Sequence, residues 1–175
     1  ISALVIMLAR PVTKGFMPGW ISAELDSRLL LVIDNSSSMS GKKNGETLLD
    51  LSKKAAISIP QIFNKNTSIS VIKTCPPQII FSGKINDPLY PEVINMINPT
   101  VEHDNLWTVI DSMEKIINVT EPVKECVVFS DFQSTTYPKL TLSNDWRFYL
   151  VYAGKINNNL SINNLEVVSR IKVPD

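Results

Sequence analysis

Residues 29–39 read LLLVIDNSSSM and indicate the fold class of this chain. The first five residues of this stretch are aliphatic with no polar interruption. A run of this length is too short for an ordinary helix and is typical of a strand covered on both faces. Polar residues follow at once, beginning with Asp34. Ligands of parallel α/β sheets bind beyond the carboxyl ends of the strands, so this junction is the first candidate for a functional site.

Helical and strand-like segments alternate along the rest of the chain. Helical apolar spacing follows a glycine-containing loop at 41–45 and should end near Ile59, because Pro60 lacks an N–H. A second helix should begin at Asp87-Pro88 and end near Asn98, and Asp104 should cap a third. Further strands are predicted at 68–73, 78–81, 126–129, 146–152 and 165–173. This order predicts an open, mostly parallel α/β sheet of about six strands with helices on both faces.

Composition excludes several classes of protein. The chain has 175 residues, of which 44% are hydrophobic and 19% charged, as expected for one folded domain. Its formal net charge of zero gives no broad attraction to nucleic acid. The single histidine, His103, excludes most zinc sites and the usual catalytic triads. Cys75 and Cys126 are too few for a disulfide framework and should be buried free thiols.

The polar residues after the first strand form an Asp-x-Ser-x-Ser pattern made of Asp34, Ser36 and Ser38. A carboxylate and two hydroxyls at alternate positions of a turn can direct their oxygens to one point. Hard oxygen ligands suit Mg²⁺, Mn²⁺ or Ca²⁺. A second carboxylate, Asp131, ends another predicted strand, so the two acids should converge. We therefore expect Asp34→Ala to relieve a repulsion between them in the metal-free state.

This combination resembles the von Willebrand factor A (VWA) domain, a Rossmann-like fold, over residues 27–173. The metal-ion-dependent adhesion site (MIDAS) of that family uses Asp-x-Ser-x-Ser, a threonine on a second loop and an aspartate after the fourth sheet strand. The resemblance implies that Asp34, Ser36, Ser38, Thr100 and Asp131 bind Mg²⁺, or Mn²⁺ or Ca²⁺ in its place. Two departures are visible: no glycine lies near Thr100, and Phe132-Gln133 follows Asp131 where many members have glycine.

A narrower resemblance links the chain to bacterial membrane proteins of the aerotolerance regulator (Bat) type, through residues 8–11 and 130–133. It implies that residues 1–20 are the end of a transmembrane anchor and a connector, and that 21–175 form a VWA-like domain. Residues 1–9 are small and apolar, fewer than the roughly 20 needed for a span. The resemblance places the protein in the bacterial inner membrane, with the domain in the periplasm, and suggests MoxR-class AAA ATPases or other Bat-type proteins as partners.

Three functions are compatible with these residues. The first is a non-enzymatic, metal-dependent protein-binding module, in which an acidic side chain of another protein completes the metal shell. The second is a structural VWA scaffold with a degenerate, metal-free site. The third is a metal-assisted hydrolase in which Ser36, Ser38 or His103 assists. Binding of Mg²⁺ or Mn²⁺ to the purified domain would separate the first from the second.

Overall fold

The structure is a computed structural model that describes residues 27–102, 105–117, 121, 123–133 and 146–154. The predicted anchor and connector at 1–20 lie outside the described residues, as do His103, Asp104 and the predicted strand at 165–173. No helix within the described part of the chain is long and apolar enough to cross a membrane.

The main sheet has five described strands: β1 (Ser27–Ile33), β4 (Ser68–Thr74), β5 (Pro77–Lys84), β6 (Val123–Ser130) and β7 (Trp146–Tyr152). Their order across the sheet is β5-β4-β1-β6-β7. Strand β1 pairs in parallel with both β4 and β6, and β6 pairs in parallel with β7. Within this sheet, β5 is the one described strand that runs antiparallel to its neighbour. The predicted open, mostly parallel sheet is confirmed, with β1 and β6 as neighbouring central strands.

A small hairpin occupies part of the predicted glycine-containing loop. Strands β2 (Lys42–Lys43) and β3 (Glu46–Thr47) pair antiparallel around Asn44 and Gly45. Both turn residues have positive φ, 54° and 90°. A two-residue hairpin turn of this kind requires positive φ at both central positions, which Asn-Gly tolerates best. The sequence interpretation of this segment as a plain loop was therefore incomplete.

Three α-helices have described bounds: α1 (Leu48–Ser58), α2 (Leu89–Asn95) and α3 (Leu106–Ile116). A short 3-10 turn, Ile59–Gln61, ends α1 where Pro60 predicts a stop. Asp87 accepts the N–H of Leu89, but the N-cap of α2 is Pro88, one residue after the predicted cap. At α3 the capping oxygen belongs to Asn105, which accepts the N–H of Trp107 at 3.1 Å.

Helix α2 ends at Asn95, three residues before the predicted end near Asn98. Two physical causes account for the early stop. A residue that precedes a proline, as Asn98 precedes Pro99, disfavours helical backbone. In addition, the carbonyl of Asn98 accepts the side chain of Asn35, and the N–H of Thr100 donates to the Asn35 carbonyl. These bonds draw the segment away from the helix axis and toward the end of β1.

Both faces of the sheet are covered, as the unbroken aliphatic run of β1 predicts. Leu29, Leu31 and Ile33 face a core that includes residues of α1 and α2. Leu30 and Val32 face a second core that includes residues of α3. All five side chains are at most 1% exposed. The alternating directions of side chains along a strand produce this division between the two layers.

The two cysteines are buried, are not joined in a disulfide, and lie on opposite sides of β1. Cys75 directly follows β4 and Cys126 lies in β6. Next-but-one strands are about 9–10 Å apart, whereas a disulfide requires Cα atoms within about 7 Å. We expect intact-mass analysis after denaturation in a thiol reagent to count two labelled cysteines. An unlabelled chain with a two-hydrogen loss would contradict this placement.

Candidate metal centre

The two carboxylates of the candidate site lie at the same edge of the sheet. Asp34 follows β1, Asp131 follows β6, and these strands are adjacent and parallel with Ile33 paired to Phe129. The N–H of Asp34 donates to the Phe129 carbonyl at 2.9 Å, so the register continues to the strand ends. Asp34 is 7% and Asp131 5% exposed. Buried carboxylates require hydrogen-bond donors or a cation to offset lost hydration.

Asp34 obtains its compensation from three donors within the protein. The Ser36 N–H reaches Oδ1 at 2.9 Å, and the Thr74 hydroxyl lies 3.2 Å from the same atom. The Ser130 hydroxyl donates to Oδ2 at 2.6 Å. A carboxylate oxygen has two lone pairs, so Oδ1 is saturated and Oδ2 retains one. Asp34 is thus held rigidly, with one acceptor position left for a cation or a water.

The two motif serines bring their hydroxyls together. Ser36 has an extended backbone, and the chain then enters a short 3-10 turn, Ser37–Ser40. As a result Ser36 Oγ and Ser38 Oγ lie 3.2 Å apart and are hydrogen-bonded to each other. Adjacent oxygens in an octahedral Mg²⁺ shell, with bonds of about 2.1 Å, are separated by about 3.0 Å. The spacing of the two hydroxyls is close to that of neighbouring ligands of one ion.

Asp131 is the less compensated of the two acids. Its Oδ1 accepts a long bond, 3.4 Å, from the Gln133 N–H. Its Oδ2 is buried and has no hydrogen-bond partner among the described residues. Burial raises the pKa of Asp131 above its usual value, the Ser38 side chain and the Gln133 N–H oppose the rise, and the charge of Asp34 adds to it. A buried carboxylate oxygen without a donor is the feature that a cation would satisfy.

Thr100 stands apart from these four residues in the described hydrogen bonds. Its hydroxyl accepts the N–H of Glu102 at 3.2 Å. Its own N–H donates to the carbonyl of Asn35, which lies within the motif loop. The backbone therefore brings Thr100 next to the motif, while its side chain is used to stabilise its own turn. The assignment of Thr100 as a ligand stays a prediction.

The loop after Asp131 departs from ordinary backbone geometry. Phe132 has φ of 49°, in the left-handed region that a bulky residue rarely adopts. Its ring stacks on Trp107 of α3, with centroids 6.3 Å apart. Its N–H donates to Ser130 Oγ at 3.0 Å, and that hydroxyl in turn donates to Asp34. These contacts explain how a phenylalanine can occupy a position where many VWA domains have glycine.

The donor set fits a hard divalent cation. Two carboxylates and two hydroxyls supply only oxygen ligands, and one buried carboxylate oxygen lacks a partner. Within the described residues no group of three or more His, Cys, Asp or Glu side chains could hold a metal, so such a cation would depend on Ser36 and Ser38. These four side chains offer no nitrogen or sulfur ligand of the kind that soft metals prefer.

Two buried residues in contact with Asp34 were missed by sequence reasoning. Thr74 ends β4 and Ser130 ends β6, and both are 1% exposed. Each looks like an ordinary strand residue in the sequence. The available signal was positional, because β4, β1 and β6 are adjacent and polar residues at their carboxyl ends must meet. These hydroxyls orient the Asp34 carboxylate from two sides.

Replacing Ser130 with alanine should weaken any cation binding without removing a predicted ligand. The change deletes the 2.6 Å bond to Asp34 and the acceptor for the Phe132 N–H. Loss of such an outer-shell partner typically costs 10–100-fold in metal affinity. Isothermal titration with Mg²⁺ against wild type measures the effect. Unchanged affinity in a folded Ser130→Ala protein would show that the Asp34 orientation does not matter for the ion.

Comparisons with known proteins bear on the fold. No family model matches the chain, and no curated protein sequence matches it. A solved structure of three N-terminal domains of the type V pili tip protein Mfa5 from Porphyromonas gingivalis aligns with 59% of the chain, at 14% identity and TM-score 0.50. A structure of the vWF domain of Mfa5 aligns with 61% of it, at 18% identity and TM-score 0.46.

The aligned parts are small shares of those solved chains, 19% and 38% respectively. At such identities the likeness concerns the fold alone. The described strands form a mixed sheet of five mostly parallel strands that packs with helices. The described part of the chain has a VWA-like α/β fold.

Proposed function

We propose that this domain is a metal-dependent protein-interaction module of the MIDAS type. Asp34, Ser36, Ser38 and Asp131 would hold Mg²⁺, Mn²⁺ or Ca²⁺, with Thr100 as a further candidate ligand. The bound ion supplies positive charge and an open coordination position for a carboxylate. The partner is therefore a protein that presents an aspartate or glutamate side chain at this edge of the sheet.

One observation carries the proposal: Asp131 Oδ2 is buried and without a partner in the described residues. The neighbouring Ser36 and Ser38 hydroxyls, 3.2 Å apart, offer further oxygen ligands. A purely structural site would be expected to satisfy its buried carboxylate internally, as Asp34 does. Among the described residues no donor offsets the burial of this oxygen, and a bound cation would supply that compensation. The alternative of a metal-free scaffold does not account for this buried oxygen.

The hydrolase alternative receives less support from the chain. Activation of water beside a cation generally calls for a positioned general base. Asp34 is already engaged by three donors, and Asp131 would be occupied by the ion. His103, the only histidine, lies outside the described residues. Binding of an acidic partner requires no such base and uses the site as it stands.

We further propose that the domain works outside the cytoplasm, held at the bacterial inner membrane by an anchor that includes residues 1–9. Support comes from the apolar composition of those residues and from the Bat-type resemblance. A MoxR-class AAA ATPase or another Bat-type protein would be a partner consistent with that resemblance. Fractionation of cells that express the full-length protein, followed by protease accessibility of the domain, tests this arrangement.

The binding function itself is tested by NMR with a capped Gly-Gly-Asp-Gly-Gly peptide in Mg²⁺ and in EDTA. As this peptide is added, we expect saturable chemical-shift changes of the Ser36 and Ser38 amides in Mg²⁺ and no changes in EDTA. The matched Gly-Gly-Asn-Gly-Gly peptide, which lacks the charge, should cause none. Equal shifts with the two peptides, or with and without Mg²⁺, would contradict the proposal.

A further inference from the structure

A cavity of about 510 Å³ adjoins the candidate cation site, and we call it the side pocket. Its apolar lining comes from two sides. Cys75 and Ile80 lie on the side of β4 and β5, and Val93 of α2 and Ile97 after that helix lie on the other. Small-molecule and side-chain pockets in proteins typically measure about 300–1,000 Å³ and are mostly apolar. The side pocket has the size and lining to take a bulky apolar side chain.

The side pocket and the candidate cation site share a wall. Asn35 lines the side pocket and lies between Asp34 and Ser36 in the motif. Its side-chain amide donates to the Cys75 carbonyl at 2.7 Å and accepts the Cys75 N–H at 2.8 Å. Thr100, the remaining predicted ligand, also lines the side pocket. Asn35 and Thr100 thus place the side pocket beside the loop that carries Asp34 and Ser36.

Charge and exposure around the side pocket point to the chemistry of that segment. Lys73 lines the cavity, is half-buried, and has no ion pair among the described residues. Its charge adds to that of a bound cation and favours an acidic segment. Met96 is 76% exposed at the cavity and Val101, next to Thr100, is 88% exposed. These apolar side chains gain free energy only when something apolar covers them.

We propose that the side pocket receives a bulky aliphatic or aromatic side chain that neighbours the metal-binding acid in the partner. The inference rests on the proposed function and deepens it. The partner's recognition element is then an Asp or Glu residue next to an apolar residue. The carboxylate confers dependence on the cation, and the apolar side chain confers selectivity among acidic proteins. Pockets that bury one anchor side chain commonly dominate the affinity of an interface.

The test compares capped peptides that differ only beside the aspartate: Gly-Gly-Asp-Gly-Gly, Gly-Gly-Asp-Leu-Gly and Gly-Leu-Asp-Gly-Gly. Each is titrated by NMR into the protein in Mg²⁺ and in EDTA, with labelled isoleucine and valine methyl groups. We expect one leucine peptide to bind roughly tenfold more tightly than the glycine peptide in Mg²⁺. The methyl groups of Ile80 and Val93 should shift with that peptide only.

A variant pair gives an independent check. Val93→Phe fills the side pocket and should lower the affinity of the leucine peptide to that of the glycine peptide. The affinity of the glycine peptide should not change. Leu89→Phe is the matched control, because Leu89 belongs to the same helix, is 55% exposed and does not line the cavity. If Val93→Phe does not fold, the methyl shifts of wild type decide the question.

The outcomes separate the two proposals. Equal affinity of all three peptides in Mg²⁺, or no shift at Ile80 and Val93, overturns the side pocket while the metal-dependent function stands. Binding that is equal in Mg²⁺ and EDTA overturns the proposed function and the placement of the acid that depends on it. Tighter, Mg²⁺-dependent binding of a leucine peptide with shifts at both methyl groups supports both.

Discussion

Replacing Leu31 with aspartate is expected to prevent the domain from folding. Leu31 is fully buried in β1, with Val71 of β4 and Val127 of β6 as its parallel partners. The substitution removes a packed side chain and places an unpaired carboxylate in the core, at a cost of about 5 kcal/mol or more. Whole domains are stable by only about 5–15 kcal/mol. Most or all of the free energy of unfolding would be lost.

The measurement is urea unfolding of purified protein, or recovery in the soluble fraction where purification fails. Leu89→Asp is the matched control, because it makes the same chemical change at an exposed residue at the start of α2. That control should stay within about 1 kcal/mol of wild type. A soluble Leu31→Asp protein with the wild-type midpoint would mean that β1 is not the central buried strand.

Replacing Asp34 with alanine is expected to destabilise the protein in EDTA by about 2–4 kcal/mol and to abolish its response to Mg²⁺. The sequence suggests the opposite change, because removing one of two neighbouring carboxylates relieves their repulsion and should stabilise the metal-free protein. The alanine leaves the Ser36 N–H and the Ser130 hydroxyl without their acceptor. The Thr74 hydroxyl loses its bond to Asp34 and keeps a longer one, 3.4 Å, to Asn35 Oδ1. Against this stands the relief of charge repulsion, which contributes less to the raised pKa of Asp131 than burial does.

Asp34→Asn separates the two effects. Its amide oxygen can still accept the Ser36 N–H, and its amide nitrogen can face Ser130 Oγ once that hydroxyl rotates. We expect a change in the free energy of unfolding of about 1 kcal/mol in EDTA, together with a lost response to Mg²⁺. Chemical unfolding with and without 10 mM EDTA measures both. An alanine variant as stable as wild type in EDTA would contradict the hydrogen-bond account of Asp34.

The fold class could be predicted from the sequence because the pattern that indicates it is local. Five aliphatic residues followed by a polar turn specify a buried strand and the point where it ends. The same reasoning identified Asp34, which directly follows an apolar run, and Asp131, which follows another after a single serine. The small hairpin around Asn44 and Gly45 was also visible locally, as an Asn-Gly pair, but the glycines were interpreted only as a loop.

The rest of the site depends on contacts between strands that are distant in sequence. Thr74 and Ser130 acquire their role only when β4 and β6 flank β1, and 96 residues separate Ser130 from Asp34. The early end of α2 likewise follows from bonds to Asn35, 63 residues away from Asn98. No local pattern encodes such pairings. The left-handed backbone of Phe132 also depends on a distant contact, because its ring stacks against Trp107 of α3.

The hydrogen bonds of the site also suggest how its halves stay aligned. The Phe132 N–H donates to Ser130, and Ser130 donates to Asp34, so the loop that carries Asp131 is tied to the end of β1. Asn35 ties the same strand end to Cys75, Asn98 and Thr100. The side chains proposed to hold the ion therefore rest on a connected backbone rather than on separate flexible loops. Such preorganisation reduces the ordering cost of binding.

The most direct test of the account is the thermal midpoint of wild type and Ser38→Ala as Mg²⁺ or Mn²⁺ is added. At a free-ion concentration about ten times Kd, binding should stabilise wild type by about 1.4 kcal/mol, or roughly 3–6 °C. Ser38→Ala should lose most of that shift. Ser40→Ala, a serine-to-alanine change at an exposed position in the same turn, should keep it. Equal shifts in all three proteins, or no shift in wild type at millimolar ion, would contradict a cation site at Asp34, Ser36, Ser38 and Asp131.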